Sequence, residues 1–274
     1  MNDIVAQASL SARTPIDVLI PAIEKDLSTL PFVIDGIRKY VKHPIGTIYI
    51  VSPDSAKIKS LCRLKKCTFV HENTVLPITK KDIIYRSSTW DRSGWLYQQL
   101  LKLNGDKICK NRHFLVTDAD TVLIRPHTFL ENGKTIFYYR KWSHPEYFHI
   151  HTRLLGQKAS SPESFVNHYM LYDSVKLREL KKTIEKRHGV RWYNAILKQL
   201  NRKKQFGFSE FETYGNFVRS GYPGTIKLRP TLNKEFKKSI LAVPAAERQQ
   251  LSRSFRSLSF HKRSGYSLRK KKSV

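Results

Sequence analysis

The stretch from His113 to Ile124 reads His-Phe-Leu-Val-Thr-Asp-Ala-Asp-Thr-Val-Leu-Ile. Phe114 to Thr117 are apolar or β-branched and predict a buried strand. Asp118 and Asp120 follow at once, with only Ala119 between them, before Thr121 to Ile124 resume the apolar run. Burying an unpartnered carboxylate is costly, so the strand is expected to end here and present both side chains at its C-terminal rim. In open α/β sheets ligands sit at that rim. Two carboxylates together with substrate phosphates are what a hard divalent cation such as Mg²⁺ or Mn²⁺ asks for. An ordinary strand-to-turn junction, with Asp118 capping the turn, is the alternative.

Upstream, Ile16 to Ile20 predicts a first strand stopped by Pro21. Leu30 to Val41 has helical apolar spacing, Thr47 to Val51 a second strand, Ala56 to Leu64 a short basic helix, and Thr68 to Val70 a third strand. This alternation implies crossover units and a parallel sheet. Polar residues stand just beyond the strands: Glu24 and Asp26, Asp54, and Glu72. A nucleotide site at the sheet edge uses that geometry. A helix beginning after Gly94 and running to Leu103 feeds the Asp-x-Asp strand. Its Trp95 reads equally as packing or as ligand-facing, and Arg92, Gln98 and Lys102 lie on or near another face.

Downstream, Thr135 to Tyr139 is a further strand. His144 to His151 reads as a solvated or pocket-lining loop, its three histidines lacking the frame of a clear helix. Phe165 to Asp173 is strand-like, with Asn167 and His168 either facing a pocket or satisfied in the core. Ser174 to Arg187 and Trp192 to Leu200 read as helices with a surface crowded by Lys176, Arg178, Lys181, Lys182, Lys186, Arg187, Lys198, Arg202, Lys203 and Lys204. Another helix starts at Ser209. Ser209 and Glu212 match a capping box, whereas Glu210 has no evident structural partner. Thr225 to Arg229 and Ser257 to His261 are the last expected strands.

The net charge of +28 suits an anionic partner: nucleotide, nucleic acid, anionic lipid or anionic glycan. The hydrophobic fraction of 40% and four Trp allow a real core and exclude disorder of the whole chain. Three cysteines without metal-site spacing fit reduced thiols in a cytoplasmic setting. No apolar run reaches transmembrane length, and the N-terminus lacks the pattern of a secretory signal. One domain is expected over residues 15–262, with a frayed lead-in at 1–14 and a basic tail at 263–274. The basic helical surface and the segment from Arg253 to Lys272 are expected to reach an anionic membrane or glycan peripherally.

Taken together, the strand Ile16–Ile20, the helix with Arg92, Gly94, Trp95, Gln98, Gln99 and Lys102, the Asp118-Ala119-Asp120 turn, Asn167-His168-Tyr169-Met170, and Ser209 to Asn216 resemble the DUF6492 family. That family is similar to glycosyltransferases of the GT-A fold. The resemblance implies an α/β nucleotide-sugar-binding sandwich with a mixed, mainly parallel central sheet, a nucleotide-sugar donor, and a divalent metal, Mn²⁺ or Mg²⁺. It also implies a further metal ligand from a C-terminal histidine, for which His261 is the candidate. Within that frame Asp120 binds the metal directly, and Asp118 binds it through water or holds the ribose. Pro21, Glu24 and Asp54 face base and ribose. Arg92 and Lys102 help neutralise phosphate, with Trp95 and Gln98 on the same helix lining the donor. Asn167 and His168 are expected on the acceptor side. Glu210 or Glu212 serves as base in an inverting transfer to a glycan hydroxyl, with Glu210 favoured. Two rivals use the same features. A nucleic-acid-binding protein explains the charge but lacks a recognisable motif, so no specific nucleic acid is expected. A metal-dependent nucleotidyltransferase explains the aspartates but lacks a Gly-Ser turn upstream of them.

Overall fold

The computed structural model describes residues 14–159 and 163–261. Residues 1–13 and 262–274, which hold nearly all of the expected lead-in and the basic tail, lie outside it. The first half follows the expected rhythm: β1 (Ile16–Pro21), α1 (Leu30–Tyr40), β2 (Ile45–Ser52), α2 (Ala56–Leu64), β3 (Thr68–His71), α3 (Ser93–Leu103) and β4 (His113–Thr117). Then come β5 (Thr121–Leu123), β6 (Leu130–Glu131), β7 (Lys134–Tyr139), α4 (Pro145–Leu155), β8 (Tyr169–Asp173), α5 (Ser174–His188) and α6 (Trp192–Gln199). The remaining elements are α7 (Glu210–Gly221), β9 (Ile226–Pro230), β10 (Asn233–Glu235), α8 (Ala245–Leu251) and β11 (Ser257–Ser259).

The central sheet has the order β3-β2-β1-β4-β8. Its first four strands are parallel, and β8 runs antiparallel to β4, pairing Thr117 with Tyr169 and His113 with Asp173. Successive strand residues point to opposite faces, and both faces are covered. Leu19, Phe114 and Val116 pack with α3, α5 and α7 on one side. Val18, Ile20 and Leu115 pack with α1, α2, β5 and β11 on the other. This explains the near-continuous apolar reading of β1 and β4.

After β4 the chain leaves the central sheet. Asp118 to Asp120 form the turn, and β5 enters a small sheet of order β10-β11-β5, antiparallel to β11. Helix α1 lies directly on β5. A side-chain carbon at Gly36 would stand 2.8 Å from the Leu123 carbonyl oxygen, so only glycine lets helix and strand approach this closely. A third sheet has the order β6-β7-β9.

Three expectations need correction. His144 to His151 is not a loop: α4 starts at Pro145, buries Tyr147, Ile150, His151 and Leu154 at helical spacing, and ends on left-handed Gly156. The strand-like run from Phe165 contracts to β8, because His168 adopts a left-handed backbone with φ of 73° and breaks the extension. Lys181 is not a surface residue of the basic helices. It is 6% exposed, paired with Asp106 and 3.3 Å from Asn104 Oδ1. Among the described residues no helix is long and apolar enough to cross a membrane.

Candidate active site

The Asp118–Asp120 turn is clamped from two remote segments. The Asp118 N–H donates to the His168 carbonyl at 2.9 Å, and the Phe260 N–H donates to the Asp120 carbonyl at 2.9 Å. Each clamp also delivers an imidazole. His168 Nδ1 lies 3.1 Å from Asp118 Oδ2, and His261 Nδ1 lies 2.9 Å from Asp120 Oδ2. The two rings stand 4.6 Å apart. A left-handed backbone at a non-glycine residue is uncommon, although histidine tolerates it better than most. Here that conformation lets one residue supply both its carbonyl and its ring to Asp118.

The buried side of the turn is closed by Lys102 of α3. Its ammonium bridges Asp118 Oδ1 and Glu210 Oε1, the latter at 2.7 Å, and lies over the Phe211 ring. The lysine and glutamate side chains are each 4% exposed, so the bridge is a buried one. Trp95, Gln99 and Lys102 fall at helical spacing on one stripe of α3, and Gln99 Oε1 accepts the Glu210 N–H at 3.1 Å. The expectation that Glu210 lacks a structural partner is therefore overturned. Lys102, expected near phosphate, sits behind the aspartates.

Burial raises the Asp118 carboxyl, but Lys102 and His168 outweigh it and hold the group below the usual carboxylate range. Asp120 is likewise lowered on balance, burial being offset by His261. Burial lowers Lys102, yet Asp118 and Glu210 raise it further, so it remains an ammonium. Glu210 is raised, chiefly by burial, because it shares its one cation with Asp118. His261 is raised by its contact with Asp120 against the effect of burial.

Glu212 goes to a different task. Ser209 Oγ accepts the Glu212 N–H at 3.2 Å, but the glutamate carboxylate does not complete a capping box. It accepts instead from Ser143 Oγ at 3.2 Å, Ser164 Oγ at 2.7 Å, the Phe165 N–H at 3.3 Å and Asn216 Nδ2 at 3.0 Å. It is a staple between two loops, and those loops offer it better donors than its own helix end.

Gln98 Nε2 donates to the Pro21 carbonyl at 3.3 Å. Glu24 accepts from Ser55 Oγ at 2.7 Å, and exposed Asp54 pairs with Lys59; both lie at the ends of β1 and β2 rather than in the aspartate cluster. Arg92 lies over the Trp95 ring at 4.9 Å and the Phe206 ring at 4.2 Å. Asn167 is 1% exposed and does not face a pocket: its amide donates to the Tyr138 carbonyl and accepts the Tyr169 N–H at 3.3 Å. Two further residues neighbour the cluster: Asp26, expected among the polar residues beyond β1, and Tyr172, which the sequence reading passed over. Asp26 is raised, chiefly by burial, and feels the charges of Asp120 and Asp118. The Tyr172 hydroxyl is buried without a hydrogen-bond partner, within the fields of Glu210 and Asp118. No local sequence signal marks it, since its place opposite Phe114 depends on the pairing of β8 with β4.

No three His, Cys, Asp or Glu side chains among the described residues form a ready-made metal cage. The residues nonetheless fit a hard divalent ion. Asp120 Oδ1 is buried without a hydrogen-bond partner. Such ions are commonly held by one or two carboxylates with substrate phosphates completing the shell.

Residues 13–252 match a family described as a family of unknown function, DUF6492. The chain belongs to the DUF6492 family. The matched range includes both aspartates and both glutamates of α7 and stops before His261. No curated protein matches this DUF6492 chain by sequence. A solved structure similar to it is that of the WbbM bifunctional glycosyltransferase in apo form, with a TM-score of 0.51 and 10% identity. The similarity covers 90% of this chain and 46% of that one, so the DUF6492 chain spans less than half of that protein's length. Mouse xyloside xylosyltransferase 1 in apo form gives a TM-score of 0.45 at 12% identity, over 91% of this chain and 99% of that one. Galactosyltransferase LgtC in complex with donor and acceptor sugar analogs gives 0.46 at 10%, over 89% and 87%. The likeness to WbbM establishes the fold, a mixed α/β, mainly parallel sheet arrangement of GT-A type.

Proposed function

We propose that this chain is a metal-dependent glycosyltransferase that moves a sugar from a nucleoside-diphosphate donor to a hydroxyl of a glycan. The observation that carries the reading is the Asp118–Asp120 turn at the C-terminal end of β4, contacted by His168 and His261, with Asp120 Oδ1 buried and unpartnered. The glycosyltransferase-like fold supports it. Asp120 and Asp118 would hold Mn²⁺ or Mg²⁺, with His261 as a further ligand. The ion's contribution is Lewis-acid stabilisation of the departing diphosphate.

The chain's own residues do the rest. Lys102 keeps Asp118 ionised and fixed. Pro21, Glu24 and Asp54 would face the nucleoside from the ends of β1 and β2, joined by Gln98 of α3 through its bond to the Pro21 carbonyl, with Arg92 and Trp95 at the N-terminal end of that helix. Glu210 is the glutamate of α7 that contacts the aspartate cluster through Lys102, and burial raises its basicity. Its carboxylate oxygen not bonded to Lys102 takes the acceptor hydroxyl's proton. A single displacement with inversion at the anomeric carbon follows. His168, bound to Asp118, stands between donor and acceptor sides. A reducing compartment suits the free thiols of Cys62, Cys67 and Cys109.

The test is thermal stability with UDP, GDP, CMP and their sugar conjugates, each with Mn²⁺ or with EDTA. A ligand at a hundredfold excess over its Kd stabilises by about 2.7 kcal/mol. One nucleotide should raise Tm with Mn²⁺ and lose that effect in EDTA. No nucleotide doing so would remove the reading.

A further inference from the structure

Two buried polar groups near Glu210 bond to nothing in the protein. The Tyr172 hydroxyl and the Gln99 Nε2 amide are each out of contact with solvent and without a hydrogen-bond partner, so they do not bond each other either. Tyr172 is 0% exposed and Gln99 2%. The orientation of the Gln99 amide is fixed by its other end: Oε1 accepts the Glu210 N–H at 3.1 Å, which leaves Nε2 as the unused donor. Native folds leave few buried polar groups unpaired, and ordered water serves those that the protein does not.

The fold leads both donors to the same carboxylate. On α7, Glu210 and Tyr214 stand four residues apart and share a face. The Tyr172 ring stacks on Tyr214 at 4.2 Å with an interplanar angle of 28°, and meets Phe211 edge-on at 6.5 Å. Phe211 lies 4.6 Å from the Lys102 ammonium, which bonds Glu210 Oε1 at 2.7 Å. From α3, Gln99 and Lys102, three residues apart, both contact Glu210. The packing of Tyr172 does not need its hydroxyl. Its ring is held by Phe114, edge-on at 5.6 Å, by Tyr214 and by Phe211, and a phenylalanine would make the same contacts. Burying a hydroxyl without a partner is costly, so its presence here calls for one. Burial, and then the charge of Glu210, hold the phenol well above its usual range, so it remains an O–H donor.

We infer that Tyr172 Oη and Gln99 Nε2 hold one buried water against Glu210 Oε1, and that this water fixes the carboxylate in the orientation its task requires. The inference rests on the reading of Glu210 as the base. Water suits the place because it offers two lone pairs to the two donors and a proton to the carboxylate, three bonds in all, the usual number for an internal water. The Lys102 ammonium and the Gln99 N–H disfavour a cation there, and the Glu210 carboxylate disfavours an anion. Oε1 then accepts from Lys102 and from water together. The last torsion of a glutamate is otherwise broad, and two bonds to one oxygen stop it from turning. The other oxygen is thereby kept for the acceptor hydroxyl. Tyr172 is a positioning residue, acting through the water on Glu210.

The experiment is a crystal structure of the full chain that resolves ordered water, for the wild type and for Tyr172→Phe, with hydrolysis of UDP-, GDP- and CMP-sugars in Mn²⁺ measured on both proteins. Tyr172→Phe keeps the ring stack and removes only the hydroxyl. The wild type should show one water touching Tyr172 Oη, Gln99 Nε2 and Glu210 Oε1. The variant should lose it, and its Glu210 carboxylate should take more than one orientation. Its kcat should fall about tenfold, because misplacing a reacting group slows the chemical step, while KM for the nucleotide sugar stays the same. A hydroxyl with no role predicts the opposite: deleting an unsatisfied buried group leaves kcat unchanged and raises Tm. That result, or a wild-type structure with no water joining the two donors, overturns the inference. A water lost in the variant together with a released Glu210 carboxylate, but no hydrolysis of any nucleotide sugar by the wild type, upholds the site and removes the transfer reading. Normal hydrolysis with an unmoved Glu210 carboxylate in the variant removes the inference alone.

Discussion

Glu210 and Glu212 stand in one helical turn, yet their carboxylates face different neighbours. Glu210→Gln keeps the shape of the side chain and removes its basicity, so kcat should fall about 10²–10⁴-fold with nucleotide affinity nearly unchanged, as steady-state kinetics and titration will show. Glu212→Ala leaves Ser143, Ser164 and Asn216 without their shared acceptor and should cost about 3 kcal/mol in urea unfolding. An interchange of these phenotypes would move the base to Glu212. The sequence carried the presence of both glutamates and of the paired aspartates. It did not carry their division of labour, because Lys102 and Glu210 lie 108 residues apart and Ser164 and Glu212 48 apart. Histidine burial gives a second prediction. His127 is fully buried between the Arg125 carbonyl and the Tyr169 hydroxyl, and burial pulls its imidazole down to about 3. Above about pH 6.5 neither folded nor unfolded chain protonates it. As pH falls below that value, the unfolded chain takes up a proton that the folded one refuses. Stability should then drop by about 1.4 kcal/mol per pH unit from this residue until pH nears the folded value. His151, pulled down to about 4 by burial, adds to the slope over its own window. Urea midpoints between pH 7 and pH 4 measure this, and His127→Gln should flatten the curve.

At the scale of elements, α1, α2, α3 and strands β1 to β4 were readable because each carries a full period of apolar residues and a clear stop. Helix α4 escaped because His144, His149 and His151 are middling helix formers, and the eye takes three histidines as a site. Their actual arrangement is one at the N-cap position, one exposed beside Glu146 at 3.5 Å, and one buried. Strands β6 and β10 are two and three residues long, too short to show alternation, whereas β11 falls within the strand expected over Ser257 to His261. The direction of β8 depends on its partner strand, which local sequence does not encode. The contact between α1 and β5 gives a prediction at this scale. Gly36→Ala gains about 1 kcal/mol of helix propensity, but its new carbon meets the Leu123 carbonyl at 2.8 Å and the Leu123 amide nitrogen at 3.3 Å. Both are backbone atoms, so the helix must shift, and overpacking costs roughly 1–3 kcal/mol. Gly36→Val adds further bulk without the propensity gain. Its Tm should fall by several degrees, about 2–4 °C per kcal/mol for a domain of this size. Calorimetry reads it, and an unchanged Tm would mean that α1 is not seated on β5.

For the molecule as a whole, the charge of +28 is spread over helices α5 and α6 and beyond the last described residue. We propose that this surface holds the chain near an anionic membrane or glycan. Sedimentation with vesicles containing phosphatidylserine should remove the protein from solution at low salt and release it as salt rises, since each basic residue near such a surface contributes about 1 kcal/mol within a Debye length. Equal behaviour with phosphatidylcholine vesicles would set the idea aside. The sign of the charge was plain in the sequence. Its distribution was less so, since Lys102 and Lys181 are buried in ion pairs. The clamp on the aspartate turn has a consequence for how the protein is made. Asp120 is gripped through residues 260 and 261, some 140 positions later in the chain. On a translating ribosome, β1 to β4 emerge early and can pair at once, while β5 waits for β11. A nascent chain can therefore build its sheet long before Asp120 is held in place. On the proposed reading, the donor site is complete only when β11 has left the exit tunnel, which makes that strand the step that finishes it.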